Sequence, residues 1–327
     1  MFPETRLRRL RGHLQVRRLV RGTSLSPDNF ILPVFFKENT TKPENIPNMP
    51  GVFRQPLKNV DKIAQECEDN KIPCVLIFGI PRKKDAKGSV AFAKNGVVQK
   101  AIRKLNECSS LAVFADACLC QYTTNGHCGI TNSKGVNNDA SLKLLEKIAL
   151  SQANAGADFI APSAMMDGQV KAIRNCLDKN GFENTGIMSY SAKFASAFYS
   201  PFRSAVQASP KKQRRKPFLR DRTTHQLDFY STKQAMQEIE SDLCEGADIA
   251  MIKPALPYLD VIAKAKEKFS APLAAYQVSG EYALLKSGIL HSRHALLEST
   301  IAIKRAGADI IISYAAVELL KQLKDTQ

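Results

Sequence analysis

The sequence predicts an α/β protein of the parallel (β/α)8 TIM barrel class with an extended N-terminal arm. Eight short apolar, β-branched runs follow the arm, and amphipathic segments separate most of them. No GxGxxG opens a helix, which disfavours an open doubly wound sheet. The chain has 327 residues, 44% of them hydrophobic, and no Pro/Gly/Ser-rich linker divides it. Barrels of this class routinely pass ~250 residues as one domain, so residues 1–24 read as an arm and 25–327 as one catalytic barrel.

The arm, MFPETRLRRLRGHLQVRRLVRG onward, is basic and lacks the apolar core of a signal peptide. The eight strand-like runs are FILPVFF from Phe30, CVLIFGI from Cys74, LAVFAD from Leu111, DFIAPS from Asp158, GIMSYS from Gly186, IAMIKP from Ile249, LAAYQVS from Leu273 and DIIISYA from Asp309. Near-continuous apolar character suits strands buried on both faces. Helical periodicity marks VVQKAIRKLNEC, SLKLLEKIALSQANAG, QVKAIRNCL, TKQAMQEIESDLCEG and ALLESTIAIKRAG between them. An internal echo, AGADFIAPS, EGADIAMIKP and AGADIIISY, passes each time from glycine through Ala-Asp into a strand.

In such barrels chemistry gathers at the C-terminal ends of the strands. The polar residues expected there are Asp116 after strand three, Ser163 after four, Ser191 and Lys193 after five, Lys253 after six, Ser279 after seven and Tyr314 in eight. Lys193 and Lys253 carry the most information. A lysine removed from water, or facing a second cation, loses basicity, and its free amine can attack a carbonyl to form a Schiff base. Two such amines imply two carbonyl substrates.

The segment DACLCQYTTNGHCG places Cys118, Cys120, His127 and Cys128 in an irregular loop after the third run. Three thiolates with an open fourth position suit a catalytic zinc, and the spacing does not match zinc fingers or ribbons. A redox site and unliganded thiols are the competing readings, and His127 reads as a loop or supporting residue before a fourth ligand. The remaining cysteines, Cys67, Cys74, Cys108, Cys176 and Cys244, read as buried thiols in a reducing, cytoplasmic compartment.

The formal charge of +16 raises the question of nucleic acid. Much of the excess lies in Arg6 to Arg21 and in KKQRRK from Lys211, without interleaved aromatics, and the chain has no Trp. Those absences exclude a stacking surface. No apolar stretch approaches the ~20 residues of a membrane span.

The chain closely resembles the 5-aminolevulinate dehydratases, also called porphobilinogen synthases. The resemblance rests on NMPGVFR from Asn48, FGIP from Phe78, the cysteine loop, APSAMMDGQV, MSYSAKFASAFYSPFR, DRTTHQLD, MIKPALPYLD, YQVSGEY and RAGADIIISY. It implies a barrel that joins two 5-aminolevulinate molecules with loss of two waters to give porphobilinogen, for haem and other tetrapyrroles. Lys253 then binds the substrate that forms the acetic-acid side and Lys193 the one that forms the propionic-acid side. Arg203 and Arg222 match carboxylate clamps, and Gln226, Ser279 and Tyr314 match further substrate contacts. Cys118, Cys120 and Cys128 match ligands of a catalytic zinc. Glu238 falls where some members carry a magnesium-linked glutamate, a reading balanced evenly against an ordinary helix-surface residue. The resemblance also implies a homo-octamer in which the arm embraces a neighbour.

Some positions leave the family pattern. Ala164 stands where aspartate is usual and Gln169 where arginine is usual, both beside the expected site. Gln121 replaces a proline, a change expected to adjust only loop shape. A weakened family member and another Schiff-base lyase or aldolase are therefore the alternatives, although an aldolase needs neither the second lysine nor the thiols.

Overall fold

The computed structural model describes residues 1–208 and 221–325. Eight strands form the barrel: β1 (Phe30–Lys37), β2 (Cys74–Ile80), β3 (Ala112–Ala117), β4 (Phe159–Pro162), β5 (Gly186–Lys193), β6 (Ile249–Lys253), β7 (Leu273–Gln277) and β8 (Ile310–Ser313). Each pairs in parallel with the next in sequence, and β8 returns to β1 through Phe30↔Ile311 and Ile31↔Ile312, which closes the sheet. A closed sheet has no open edge to protect. All eight runs predicted from sequence are therefore barrel strands.

The outer ring contains α1 (Val60–Asp69), α2 (Val97–Cys108), α3 (Asn138–Ala153), α4 (Gln169–Lys179), α5 (Thr232–Cys244), α6 (Leu259–Lys268), α7 (Ser292–Ala306) and α8 (Ala316–Asp325). Periodicity decides which face turns inward. In α2, for example, Val97, Val98, Ala101, Ile102 and Leu105 are buried while Lys100 and Lys104 face water. Each of the Val, Ile and Leu side chains contributes roughly 1.5–3 kcal/mol through burial. Helix α3 starts three residues before its apolar pattern, because the Asn137 side chain accepts the Ala140 N–H and fixes the first turn.

The Gly-Ala-Asp echo is a device for closing the barrel floor. Asp158, Asp248 and Asp309 each accept, through Oδ2, the backbone N–H near the start of the preceding strand: Val113 in β3, Ile187 in β5 and Leu273 in β7, at 2.7, 2.7 and 3.0 Å. The aspartate N–H groups donate back to the carbonyls of the same three residues. The glycines before them, Gly156, Gly246 and Gly307, have φ of 96°, 104° and 120°, a region that residues with a Cβ avoid.

Further elements surround the barrel. A short strand, Phe53–Gln55, pairs with the end of β1 and with Glu44–Asn45. A six-residue helix, Ser200–Ala205, crosses the C-terminal mouth after β5. Residues 1–24 contain a single turn at Leu7–Leu10 and a helix at Leu14–Leu19, neither with a buried residue. Among the described residues no helix is long and apolar enough to cross a membrane.

One sequence expectation changes here. All eight cysteines are free, but Cys108 and Cys244 are exposed and Cys74 and Cys176 half-buried, leaving Cys67 as the one buried thiol of those five. Helix ends place Cys108 and Cys244 at the last turn, where the apolar face no longer meets the barrel. The basic stretch from Lys211 to Lys216 lies outside the described residues.

Candidate active site

Strand register creates the site. Lys193 ends β5 and Lys253 ends β6, and the two are direct partners in the β5–β6 ladder. Both are buried, at 6% and 4% exposure. They enter one narrow cleft, walled also by Asp116, Cys120, Gln121, Ser163, Tyr199, Phe202 and Arg222. Four of the polar strand-end residues predicted there, Asp116, Ser163 and the lysine pair, thus converge. Tyr314 lies one residue past β8 and Ser191 inside β5.

The two amines are not equivalent. Lys193 Nζ donates to the Ser163 carbonyl. Lys253 Nζ lies instead over aromatic faces, 3.9 Å from the Tyr276 centroid and 4.9 Å from those of Tyr190 and Phe202. Burial, and then the cation of Lys193, hold the Lys253 ammonium well below the usual lysine range. A neutral amine near pH 7 is what nucleophilic attack on a ketone needs. Burial pushes the Asp116 carboxyl up, against hydrogen bonds and both lysine charges that favour its anion.

Gln121 does more than shape the loop. Its Nε2 donates to Asp116 Oδ2 at 2.8 Å, and its Oε1 lies 3.4 Å from Cys120 Sγ. This buried amide thus ties the carboxyl on β3 to the cysteine loop. A proline could make neither contact. Its place beside Cys120 offered no sequence signal, because only the fold turns it inward.

The ligand atoms of Cys118, Cys120 and Cys128 lie within 4.8 Å of one another, all buried, and no other three-residue group of this kind occurs among the described residues. His127 and Glu238 are outside it. Hydrogen bonds from Cys118 and Cys120 hold the Cys128 thiol well below the usual cysteine range, while the Cys118 thiol is pushed well up, chiefly by its hydrogen bond with Cys120. Cys128 is thereby the sulfur of the three most disposed to carry negative charge. Three convergent soft donors, with no fourth member of the group among the described residues, fit a thiophilic divalent metal with an open position.

The remaining predicted residues are distributed around this centre. Arg222 Nη2 donates to the carbonyls of Gly126 and Ala208, and the guanidinium faces the cysteine charge. Arg203 sits on the short helix beside it, with Nε buried and without a hydrogen bond among the described residues. Ser279 Oγ accepts the Phe202 N–H at 2.9 Å and lies 3.3 Å from the Phe198 carbonyl, so in this state it docks the short helix. Tyr314 Oη lies 3.0 Å from Tyr276 Oη. Gln226 is buried but opens on a neighbouring cavity, both amide atoms without a hydrogen bond among the described residues. Glu238 lines that same cavity with Asp242 and Asp167. Burial, then those two charges, push its carboxyl up to about 7.

Ala164 follows the carbonyl that receives Lys193, and Gln169 turns toward the Glu238 cavity, its Oε1 accepting the Met166 N–H. The ring faces of Tyr190, Tyr199, Phe202 and Tyr276 were not anticipated as site residues. Their only signal was a lone tyrosine in each of strands five and seven and the aromatic cluster Phe194, Phe198, Tyr199 and Phe202 after Lys193.

Comparison with known proteins agrees with this geometry. The family model described as delta-aminolevulinic acid dehydratase matches residues 4–322. Proteins of that name from Methanothermus sociabilis and Archaeoglobus fulgidus are 50% and 48% identical, over 98% and 99% of this chain and 99% of each relative. The crystal structure of the Toxoplasma gondii ME49 delta-aminolevulinic acid dehydratase (porphobilinogen synthase), in complex with the reaction product porphobilinogen, superposes with a TM-score of 0.93 at 36% identity. It covers 99% of this chain and 92% of that one. With two register-paired lysines, a three-thiol cluster and full-length similarity, the chain belongs to the delta-aminolevulinic acid dehydratase family.

Proposed function

We propose that this chain is a porphobilinogen synthase, a lyase that condenses two 5-aminolevulinate molecules into porphobilinogen with release of two waters. The observation that carries the reading is the placement of Lys193 and Lys253 as ladder partners in one cleft with Asp116 and Cys120. Each amine attacks the ketone of one substrate, forming a C–N bond while the ketone oxygen leaves as water. The resulting iminium acidifies the neighbouring carbon, and holding both substrates on adjacent strands makes their joining effectively intramolecular. Lys253 serves the substrate of the acetic-acid side and Lys193 that of the propionic-acid side. The buried Asp116 carboxyl, held by Gln121, is placed to accept or return a proton at the lysine nitrogens.

Arg203 and Arg222 supply guanidinium forks for substrate carboxylate, with Gln226, Ser279 and Tyr314 as further contacts. Cys118, Cys120 and Cys128 are assigned to zinc, which when bound polarises the second substrate and orients its amine. Glu238 is an acidic neighbour of Asp242 and Asp167, a chemistry suited to magnesium at the outer cavity. Residues 1–24 are assigned as an arm that packs on another copy in a homo-octamer, supported by exposed Phe2, Leu7, Leu10, Leu14 and Leu19. Free cysteines throughout the chain support a reducing, cytoplasmic location.

The test is porphobilinogen formation from 5-aminolevulinate by the purified, reduced protein, with and without a chelator shown to strip the metal, then with zinc restored. Product that disappears with chelation and returns with zinc is the expected result. Product indifferent to stripping refutes the zinc assignment, and no product in any metal condition refutes the synthase reading.

A further inference from the structure

Lys253 has an unusual electrostatic setting. Among the described residues it takes part in no ion pair. The carboxyl of Asp116 is engaged by Gln121, and the carbonyl that solvates Lys193 belongs to Ser163. What surrounds Lys253 Nζ is a set of rings. Tyr276 is centred 3.9 Å away, Tyr190 and Phe202 4.9 Å, and Tyr199 5.6 Å. Three of the rings are held independently: Tyr276 by its hydroxyl on Tyr314, Tyr199 by its hydroxyl on the Lys253 carbonyl, and Phe202 by its N–H on Ser279. Tyr190 is fully buried on β5 and also lies 5.3 Å from Lys193 Nζ.

A ring face presents negative potential and attracts a cation, more strongly where water is excluded. The reaction needs opposite things of this nitrogen at two moments. As nucleophile it must be neutral. Once the amine has condensed with a ketone and one proton, water leaves and the nitrogen becomes a positively charged iminium. A carboxylate in contact would stabilise the starting ammonium as strongly as the iminium and so oppose the first step. Ring faces attract the ammonium too, but more weakly than a carboxylate in contact would, so they oppose its deprotonation less and remain in place to stabilise the iminium once it forms.

We propose that the aromatic cage of Tyr276, Tyr190, Phe202 and Tyr199 stabilises the iminium formed on Lys253 through cation–π attraction, with Tyr276 contributing the largest share. This rests on the synthase reading and adds a catalytic group to it. It also distinguishes the two lysines: the iminium at Lys253 is held by ring faces, whereas Lys193 has a carbonyl acceptor and one ring.

The test replaces Tyr276 with phenylalanine and then with phenylalanines bearing one, two and three ring fluorines, in the zinc-loaded full chain. Fluorine withdraws the negative potential of the face while nearly preserving ring shape. With Tyr276→Phe as reference, kcat is expected to fall by a constant factor of about two per fluorine. The fraction of enzyme that borohydride traps as substrate adduct on Lys253, located by peptide mass, should fall in step. Tyr276→Leu sets the outer limit, at about thirtyfold loss. Unfolding midpoints that stay constant across the fluorinated series separate this effect from packing. A flat series in a chain whose wild type makes product and is trapped overturns the cage while leaving the synthase reading intact. A wild type that neither makes product nor is trapped overturns both.

Discussion

Replacing Arg54 by methionine is expected to loosen the roof of the cleft while sparing the barrel. Arg54, 8% exposed, donates through Nε to the Ala205 carbonyl at 2.7 Å and through Nη2 to the Ser204 carbonyl at 2.8 Å. Those are the last two residues of the helix Ser200–Ala205, where carbonyls have no partner within the helix. A third, longer bond reaches Asn45, and Glu44 lies 3.7 Å from Nη1. Methionine fills much of the volume and removes every donor. Charge-assisted hydrogen bonds contribute about 1.5–3 kcal/mol each, and partial access of water to exposed Ser204 reduces the sum to about 2–3 kcal/mol. That is roughly a 30- to 150-fold shift between docked and undocked helix, at 1.4 kcal/mol per decade.

Hydrogen exchange followed by mass spectrometry reads this directly. Amides of 200–205, including the Phe202 N–H held by Ser279, should exchange about 30-fold or more faster, while those of β6 keep their protection. Because the helix carries Phe202 and Arg203, the KM for 5-aminolevulinate should rise more than kcat falls. Arg54→Lys should fall between, since one ammonium cannot match the fork that reaches both carbonyls. Unchanged exchange at 200–205, or equal acceleration there and in β6, refutes the idea that Arg54 acts locally on the roof.

Other perturbations give equally specific outcomes. Lys253→Met should abolish porphobilinogen formation and Lys193→Met nearly so; turnover at the wild-type rate in either refutes the two-Schiff-base scheme. Cys128→Ala should lose the equivalent of zinc that survives dialysis, read by elemental analysis, and retention of full stoichiometry would remove the three-thiol site. Gly280→Ala would place a Cβ 2.5 Å from the Phe198 carbonyl, forcing backbone apart at about 1–3 kcal/mol in urea unfolding, whereas Gly22→Ala, with open space around it, should stay within about 0.5 kcal/mol. Glu238 has its carboxyl raised to about 7, so its ionisation opposes folding, a cost absent below pH 4.5 and complete above pH 7. Glu238→Gln in metal-free buffer should therefore raise stability at pH 8 by about 1 kcal/mol after allowance for solvent screening, and leave pH 4 unchanged; the opposite ordering would refute it.

The sequence by itself determined the eight strands, because runs buried on both faces must be almost wholly apolar and this chain has eight of them in alternation with amphipathic helices. It also placed Lys193 and Lys253 at strand ends and grouped three cysteines in one loop, since those residues are close in sequence to the runs that carry them. Tertiary structure decided the rest, because it depends on distances between segments far apart in the chain. Register across β5 and β6 made the lysines direct neighbours. Closure of the barrel brought Tyr276 from β7 over Lys253, while the local path of the loop after β3 turned Gln121, which reads as a loop adjustment, onto Asp116. The same closure directed Gln226 to a neighbouring cavity and engaged Ser279 with the short helix rather than leaving its hydroxyl free. Composition marks which residues leave water. Only the folded sheet decides which of them then face one another, because a strand places every second side chain on the same face and its register with the next strand fixes the partner.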